Sequence, residues 1–471
     1  MIKTFAPKIS VTLKKVQRRS GADRIAYLAG SMIESIDLTP YLGEMGGVTT
    51  YRGLNQPAGT FQVVLADKMN ARSLDTMYAS IEPMDMLDIR FARLQQGELP
   101  IVMRGLVSYV SRDESMGQDG KPRRTITITG HDFGKFLQIM QVSYLKEYVY
   151  GNFPLTAFPM FEVYGKWFGD HTASQFVEEI VNSLVQNFIG EVWLWGALKE
   201  EPALKVDARV TGSRVGPFGI PNYEGDIWTL LTNWCDIGWN ELFIEDRPDA
   251  AYVVYRPVPY YDLAGDLIMA SEGAVPPVEI EVGIDEVESL SLSRSDGNLA
   301  NFFQIEAPMA EILNMDWIKV QATQNGLTLI RDNRNCLPEI YGLKKMLART
   351  MQSAESSTLT ALQAETKEKP VQAVVMGRWY GKRRDQMKRI HQDNVVYEDG
   401  QISMRGNEKI KAGMYVMLKR GSRTTRHYVT SVSHSFTPFH AFKTTLQVTR
   451  GESYVGRLGA QGSPYQAERN A

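Results

Sequence analysis

Residues 101–137 read IVMRGLVSYVSRDESMGQDGKPRRTITITGHDFGKFL, and no other stretch narrows the possible folds as much. The first arm, 101–112, is rich in Val, Met, Leu and Tyr, while 124–129 alternates Thr125, Ile126, Thr127, Ile128 and Thr129. Successive side chains of a strand point to opposite faces, so the isoleucines share one face and the threonines the other. Such a strand is buried on one side only. A polar loop, 113–122, with Gly117, Gly120 and the pair Gln118-Asp119, joins the arms and predicts a hairpin. Gly130 and Asp132 are expected to stop the second strand, after which Phe133, Phe136 and Leu137 begin a short amphipathic helix.

The pattern recurs, more weakly, near the other end. Residues 428–436 read YVTSVSHSF and 442–451 read FKTTLQVTRG. LVSYVSR at 106–112 sets against YVTSVSH at 428–434, and TITITG against TTLQVTRG, each return arm closed by a glycine. The connection is long in the first copy and short, 437–441, in the second. A true repeat predicts two similar β-barrels in one chain; chance similarity of two amphipathic hairpins is the other reading.

The remaining pattern fits a fold that is α+β but mostly β. Strands are expected at 9–13, 46–53, 60–66 and 85–93, with a short helix at 73–80, which gives a first tube-like barrel over 1–140. A mixed α/β domain follows at 141–277. Its clearest helix, 172–189, opens on a Thr172/Gln175 capping-box pattern and carries an apolar stripe from Phe176 to Ile189. A second helix, 227–237, should end at Gly238, and strands are expected at 241–244 and 251–255. Trp193 and Trp195 suit a sugar platform or, more commonly, a core. A second tube-like barrel is read from 278–330 and 395–452, with a strand at 302–306 after the turn Asp296-Gly297-Asn298. A helical insertion, 331–394, interrupts it, with helices at 337–356 and 374–390. The latter has a basic face of Arg383, Arg384, Lys388 and Arg389. Residues 453–471 read as a C-terminal tail.

Charge and cysteine usage limit the function classes. Cys235 and Cys336 are the only cysteines, far apart and in no metal-like spacing, which argues against a disulfide framework. The net charge is −2, yet residues 370–460 hold 16 Lys and Arg against 6 Asp and Glu. This basic region either docks on acidic neighbours or faces nucleic acid; it lacks the interleaved aromatics that stack bases, which favours docking. No apolar run reaches the roughly 18 residues of a membrane span, and MIKTFAPKIS lacks a signal-peptide core.

Reactive motifs are missing. There is no HExxH, GxSxG, Walker-type phosphate loop or GxGxxG. His131-Asp132 has the composition of an acid–base pair, but Asp132 is better placed to cap the next helix. His434 and His440 flank a turn; without a nearby third ligand they read as exposed strand-end histidines. No catalytic, cofactor-binding or metal-binding residue is therefore predicted, and no cofactor.

Four stretches carry a family resemblance: RGLVSYVSRDESMGQDGKPRRTITITGHDFGKFL, VESLSLSRSDGNLANFFQI, GQISMRGNEKIKAGMYVML and HYVTSVSHSFTPFHAFKTTLQVTRG. They resemble the tail hub (baseplate hub) proteins of tailed phages, a fold family that includes the N-terminal hub part of type VI secretion spike proteins. The resemblance spans roughly 49–451 and rests on strand pattern and glycine position. It implies a structural, non-enzymatic hub of a contractile tail. Two barrels per chain, in a homotrimer, would form a pseudo-six-fold ring that adapts the hexameric tail tube to the trimeric central spike and surrounds the genome-delivery channel. The implied partners are further copies of the chain, the tail tube protein, the spike, other baseplate proteins and the tape measure protein. DNA would pass without sequence-specific binding, and no membrane anchor is implied. The implied location is the virion tail baseplate, assembled in the host cytoplasm. No needle or OB-type extension follows Gly451 and no lysozyme insert is recognisable, which implies a separate spike protein and no cutting of the cell wall. Two alternatives stay open: a tail-tip cell-wall hydrolase, and the hub of a phage-derived protein injection system.

Overall fold

The computed structural model describes residues 7–16, 33–43, 46–68, 76–94, 97–116, 120, 122–144, 171–186, 189, 204–215, 223–308, 316–354, 369–420, 423–438 and 440–451. The first unit contains β1 (Lys8–Val16), β2 (Ile33–Asp37), β3 (Gly47–Gly53), β4 (Thr60–Ala66), β5 (Met86–Ala92), β6 (Ile101–Met116) and β7 (Pro122–Asp132). Period-two patterning explains β4: Phe61, Val63 and Leu65 are buried, while Thr60 and Gln62 are exposed. β6 and β7 form the expected hairpin, with both arms longer than the alternating residues alone indicate. Ile126 and Ile128 are fully buried, and Thr125, Thr127 and Thr129 are half-buried. Gly130 does not stop the strand. It is glycine because the Phe61 ring lies on the backbone there; a Cβ would fall 2.4 Å from that ring and 2.2 Å from the Leu106 carbonyl oxygen. Phe136 and Leu137 are buried in the short helix Lys135–Ile139. Its N-cap position is Gly134, not Asp132, which accepts the Gly134 N–H from outside the helix at 2.9 Å.

The middle region holds β8 (Gln141–Tyr144), β9 (Leu204–Ala208), β10 (Ser213–Val215), β11 (Tyr223–Asp226), β12 (Asn240–Asp246) and β13 (Ala251–Pro257). Helix Ala173–Glu179 starts with both halves of the capping box formed, then continues as a π turn, Ile180–Val185. Helix Ile227–Trp234 is capped by Asp226, whose Oδ1 accepts the Thr229 N–H at 2.7 Å. It stops before Gly238 because Asp236 already turns left-handed, at φ +48°. β12 and β13 pair antiparallel, and β9, which the sequence did not reveal, adds to β13 in parallel. Trp193 and Trp195 lie outside the described residues.

The second half contains β14 (Glu279–Gly283), β15 (Val287–Ser293), β16 (Phe302–Glu306), β17 (Leu327–Leu329), β18 (Lys345–Arg349), β19 (Gln352–Ala354), β20 (Glu398–Arg405), β21 (Tyr415–Arg420), β22 (Arg423–Thr437) and β23 (Ala441–Gly451). Two expectations change here. β16 is a strand but lies in a separate sheet, β17-β16-β18, away from the barrel strands. Residues 337–356 are not one helix. Pro338–Tyr341 makes a single turn, Gly342 ends it at φ +73°, and β18 and β19 follow. The expected helix at 374–390 is the core of a longer one, Lys369–His391.

Two six-strand groups share one topology. In the first, the spatial order is β3-β4-β7-β6-β5-β1; in the second it is β15-β20-β23-β22-β21-β14. Taken in chain order, each group lays its six strands down in the same places. The sense of the last pairing differs: β1 runs antiparallel to β5, whereas β14 runs parallel to β21. Each group curls, because its two end strands feed one core. Val48 of β3 and Val11 and Leu13 of β1 share a cluster with Phe61, Ile89 and Ile128. Leu290 and Leu292 of β15 share another with Val282 of β14, Ile402, Leu418 and Leu446. A third core unites the middle region with the long helix.

Candidate functional site

Apart from His440, the histidines and the aspartate singled out in the sequence are engaged internally. His131 Nδ1 lies 3.0 Å from the Ser108 hydroxyl, which also receives Lys135 Nζ at 3.0 Å. Asp132 is fully buried and accepts from Arg52 Nε at 3.0 Å, so it is a structural anion rather than the partner of His131. His434 is not the exposed strand-end residue expected. It is 4% exposed, with its ring edge-on to Phe91 and Nδ1 3.0 Å from Thr444 Oγ1. His440 is exposed at the turn. Cys235 and Cys336 are both buried and unbridged, and burial pushes the Cys235 thiol well up. Among the described residues, no group of three or more His, Cys, Asp or Glu could hold a metal ion.

Three arginines, Arg52 and Arg383 buried and Arg256 half-buried, clamp the regions together. Arg52, on β3, donates to Asp132 and, at 2.7 Å, to Asp246 on β12. Burial alone would lower its pKa, but the Asp246 and Asp132 carboxylates more than reverse this. Arg256 on β13 donates to Glu241 and to the Gly413 carbonyl, and Tyr428 of β22 donates to the same carboxylate at 2.5 Å. Arg383 on the long helix is fully buried, not part of a basic face. It donates to Glu272 at 3.0 Å, lies 3.3 Å from Asp236 and stacks against Trp239 and Trp379. Arg389 pairs with Asp262 and Lys411 with Glu245, so part of the basic C-terminal region docks on acids of the middle region. A groove of about 700 Å³ lies beside the long helix; Gln321, Asn325, Arg378 and Asp385 line it, with no histidine or cysteine among its described lining residues.

What remains is the backbone edge, and there the duplication is detailed. In the β6–β7 pair the register slips between Val107 and Tyr109; in the β22–β23 pair it slips between Val429 and Ser431. Setting LVSYVSR against YVTSVSH puts these two bulges at the same position. A bulge adds a residue to one strand and raises its twist, so two at one place are a shared design feature. Following the ladders outward gives matching rows. Val107, Gly130, Phe61 and Thr50 form one; Val429, Val448, Gly400 and Leu292 form the other.

One seam joins the two groups. β22 pairs with β21 through its first half and with β3 through its second: Ser431 opposes Gly53, Val432 Arg52, Ser433 Tyr51, His434 Thr50, Ser435 Thr49 and Phe436 Val48. The counterpart of this half-strand in the first group is the end of β6. β5 covers β6 only from Ile101 to Leu106, and among the described strands none pairs with the outer edge of Tyr109–Met116. The counterpart of β3 is β15, which among the described strands pairs with β20 alone and ends the sheet. Sequence alternation revealed the strands, but only the pairing shows which edges stay open.

No family model matches this sequence, and no curated protein matches it. Solved structures do. A tail protein from Neisseria meningitidis is 12% identical, with 94% of this chain and 97% of that one covered at a TM-score of 0.46. The chain is similar to phage tail proteins. A prophage tail protein from Shewanella oneidensis is also 12% identical, covering 94% and 97% at a TM-score of 0.45. An Escherichia coli component of the type VI secretion system, described as similar to T4 bacteriophage tail proteins, is 8% identical, covering 86% and 72% at 0.36.

Proposed function

We propose that the chain is a structural hub of a contractile phage tail. Its two barrels, repeated in a homotrimer, make a pseudo-six-fold ring between the hexameric tail tube and the trimeric central spike, around the channel through which the genome leaves. The observation that carries this reading is the duplicated six-strand order with its bulge at the same place in both copies. A chain with two equivalent units already joined by one seam is two sixths of such a ring, and three chains complete it. The engaged histidines and buried carboxylates support an assembly role over a catalytic one. In this reading the chain meets copies of itself, the tube protein, the spike and other baseplate proteins, in the virion tail.

The mass of the particle in solution tests this, alone and co-expressed with a candidate trimeric spike protein. A trimer, alone or on the spike, is expected. A single copy bound per spike trimer, with no larger species, would end the reading.

A further inference from the structure

We infer that the open half-edge of β6 receives β15 of a second copy of this chain, in the register of the internal β22–β3 seam. This rests on the ring reading above but specifies the contact. The argument starts from equivalence. Because Val107 corresponds to Val429 and Thr50 to Leu292, the seam's six pairs translate residue by residue. Tyr109 comes opposite Ser295 of the second copy, Val110 opposite Arg294, Ser111 opposite Ser293, Arg112 opposite Leu292, Asp113 opposite Ser291 and Glu114 opposite Leu290.

Burial supports the transfer. At the filled seam Val48, Thr50, Val432 and Phe436 are all at most 6% exposed. Their counterparts Leu290, Leu292 and Val110 are only half-buried and Glu114 is exposed; Ser431, also 6% exposed, corresponds to Tyr109, which is 62% exposed. The same positions are covered where a strand is present and uncovered where none is. Among the described strands neither edge has a partner, and an open strand edge templates the addition of another strand. The two edges are different surfaces of one chain, so the contact is head-to-tail, and a head-to-tail contact closes into a ring when its rotation allows. The open seam is also more polar than the filled one. Arg112 and Glu114 stand where His434 and Phe436 stand, and Arg112 is held by Asp67 and Glu114. Charges on an edge keep it soluble and selective before its partner arrives.

Disulfide trapping in the full-length chain reads the register directly. Directly opposed residues of an antiparallel pair have Cα atoms about 4.5–5.5 Å apart, within disulfide reach, whereas diagonal neighbours are roughly 7–8 Å apart. The variants are Ser111→Cys with Ser293→Cys, Asp113→Cys with Ser291→Cys, and an offset control, Ser111→Cys with Ser291→Cys. Both native cysteines are buried. Mild oxidation is expected to convert at least one matched pair to covalent three-chain species, while the control stays at the level of the single variants. If the wild-type chain is trimeric by mass but neither matched pair links, or the offset pair links equally well, the seam transfer is wrong and the ring stands. The transfer is equally wrong if linked chains remain monomeric in mass. If the chain is a monomer alone and on the spike and nothing links, both the seam and the ring reading fall.

Discussion

His434 concentrates the chemistry of the seam in one side chain. Its ring meets Phe91 of the first unit and Phe442 of the second, and burial, reinforced by the positive charge of Arg52, lowers its pKa to about 4. His391, half-buried near Arg450, is lowered to about 4 by desolvation and by that positive charge. An unfolded histidine takes a proton near pH 6.5. Between pH 6.5 and 4 the unfolded chain therefore binds protons that the folded chain refuses, and acid favours unfolding. This contribution is intact above pH 6.5 and is lost as pH falls toward 4. At pH 5 the loss amounts to about 2 kcal/mol for His434. The urea midpoint of the wild type should drop between pH 7 and pH 5, and His434→Gln, though less stable at pH 7, should drop less. Parallel slopes for the two proteins would show that His434 titrates normally and is not buried at the seam.

At the scale of strands, the first hairpin states its own orientation. Ile128 lies in the first core, opposite Val63 on β4 and Val110 on β6, while the half-buried Thr127 turns to the other face. An unpaired charge at position 128 should cost several kcal/mol, enough to unfold a unit of ordinary stability. Ile128→Asp should abolish cooperative melting of the first unit, whereas Thr127→Lys should change the midpoint little and show, if at all, in assembly. If Ile128→Asp is tolerated and Thr127→Lys unfolds the chain, the strand faces are inverted. Both hairpins, and their likeness, could be read from the sequence because alternation is a local property and β7 and β23 both carry it. Partner choice is not local. The run FFQIE at 302–306 marks a strand but not which sheet takes it, and β16 joined β17 and β18. KMLAR at 345–349 shows apolar residues that suit a helix or a strand, and only pairing with β16 decides. His434 looked exposed because the strand that covers it, β3, comes from the far end of the sequence. The candidate site escaped for the same reason: an edge is defined by the absence of a neighbour.

At the scale of the molecule, the seam makes two similar units behave as one. β3 and β22 pair along six residues, and Phe436 and Phe442, from the second hairpin, sit in the core of the first unit. The Arg52 and Arg256 clamps tie each unit to β12 and β13 as well. Cooperative units of unfolding follow contiguous packing rather than sequence order, so the barrels should share one transition even though each has its own core. The seam's aromatic packing is the test point. Replacing a buried Phe by Ala typically costs about 3–5 kcal/mol. Phe436→Ala should weaken the link and split the calorimetric trace into two transitions, with amides of β6 and β7 then exchanging independently of those of β22 and β23. Leu446→Ala is the matched control, since Leu446 belongs to the second core and does not belong to the first. It should lower the transition temperature and leave a single peak. Two transitions in the wild type, or one peak lowered alike in both variants, would mean that the seam does not couple the units, and a ring built from repeats of that seam would then have to draw its rigidity from elsewhere.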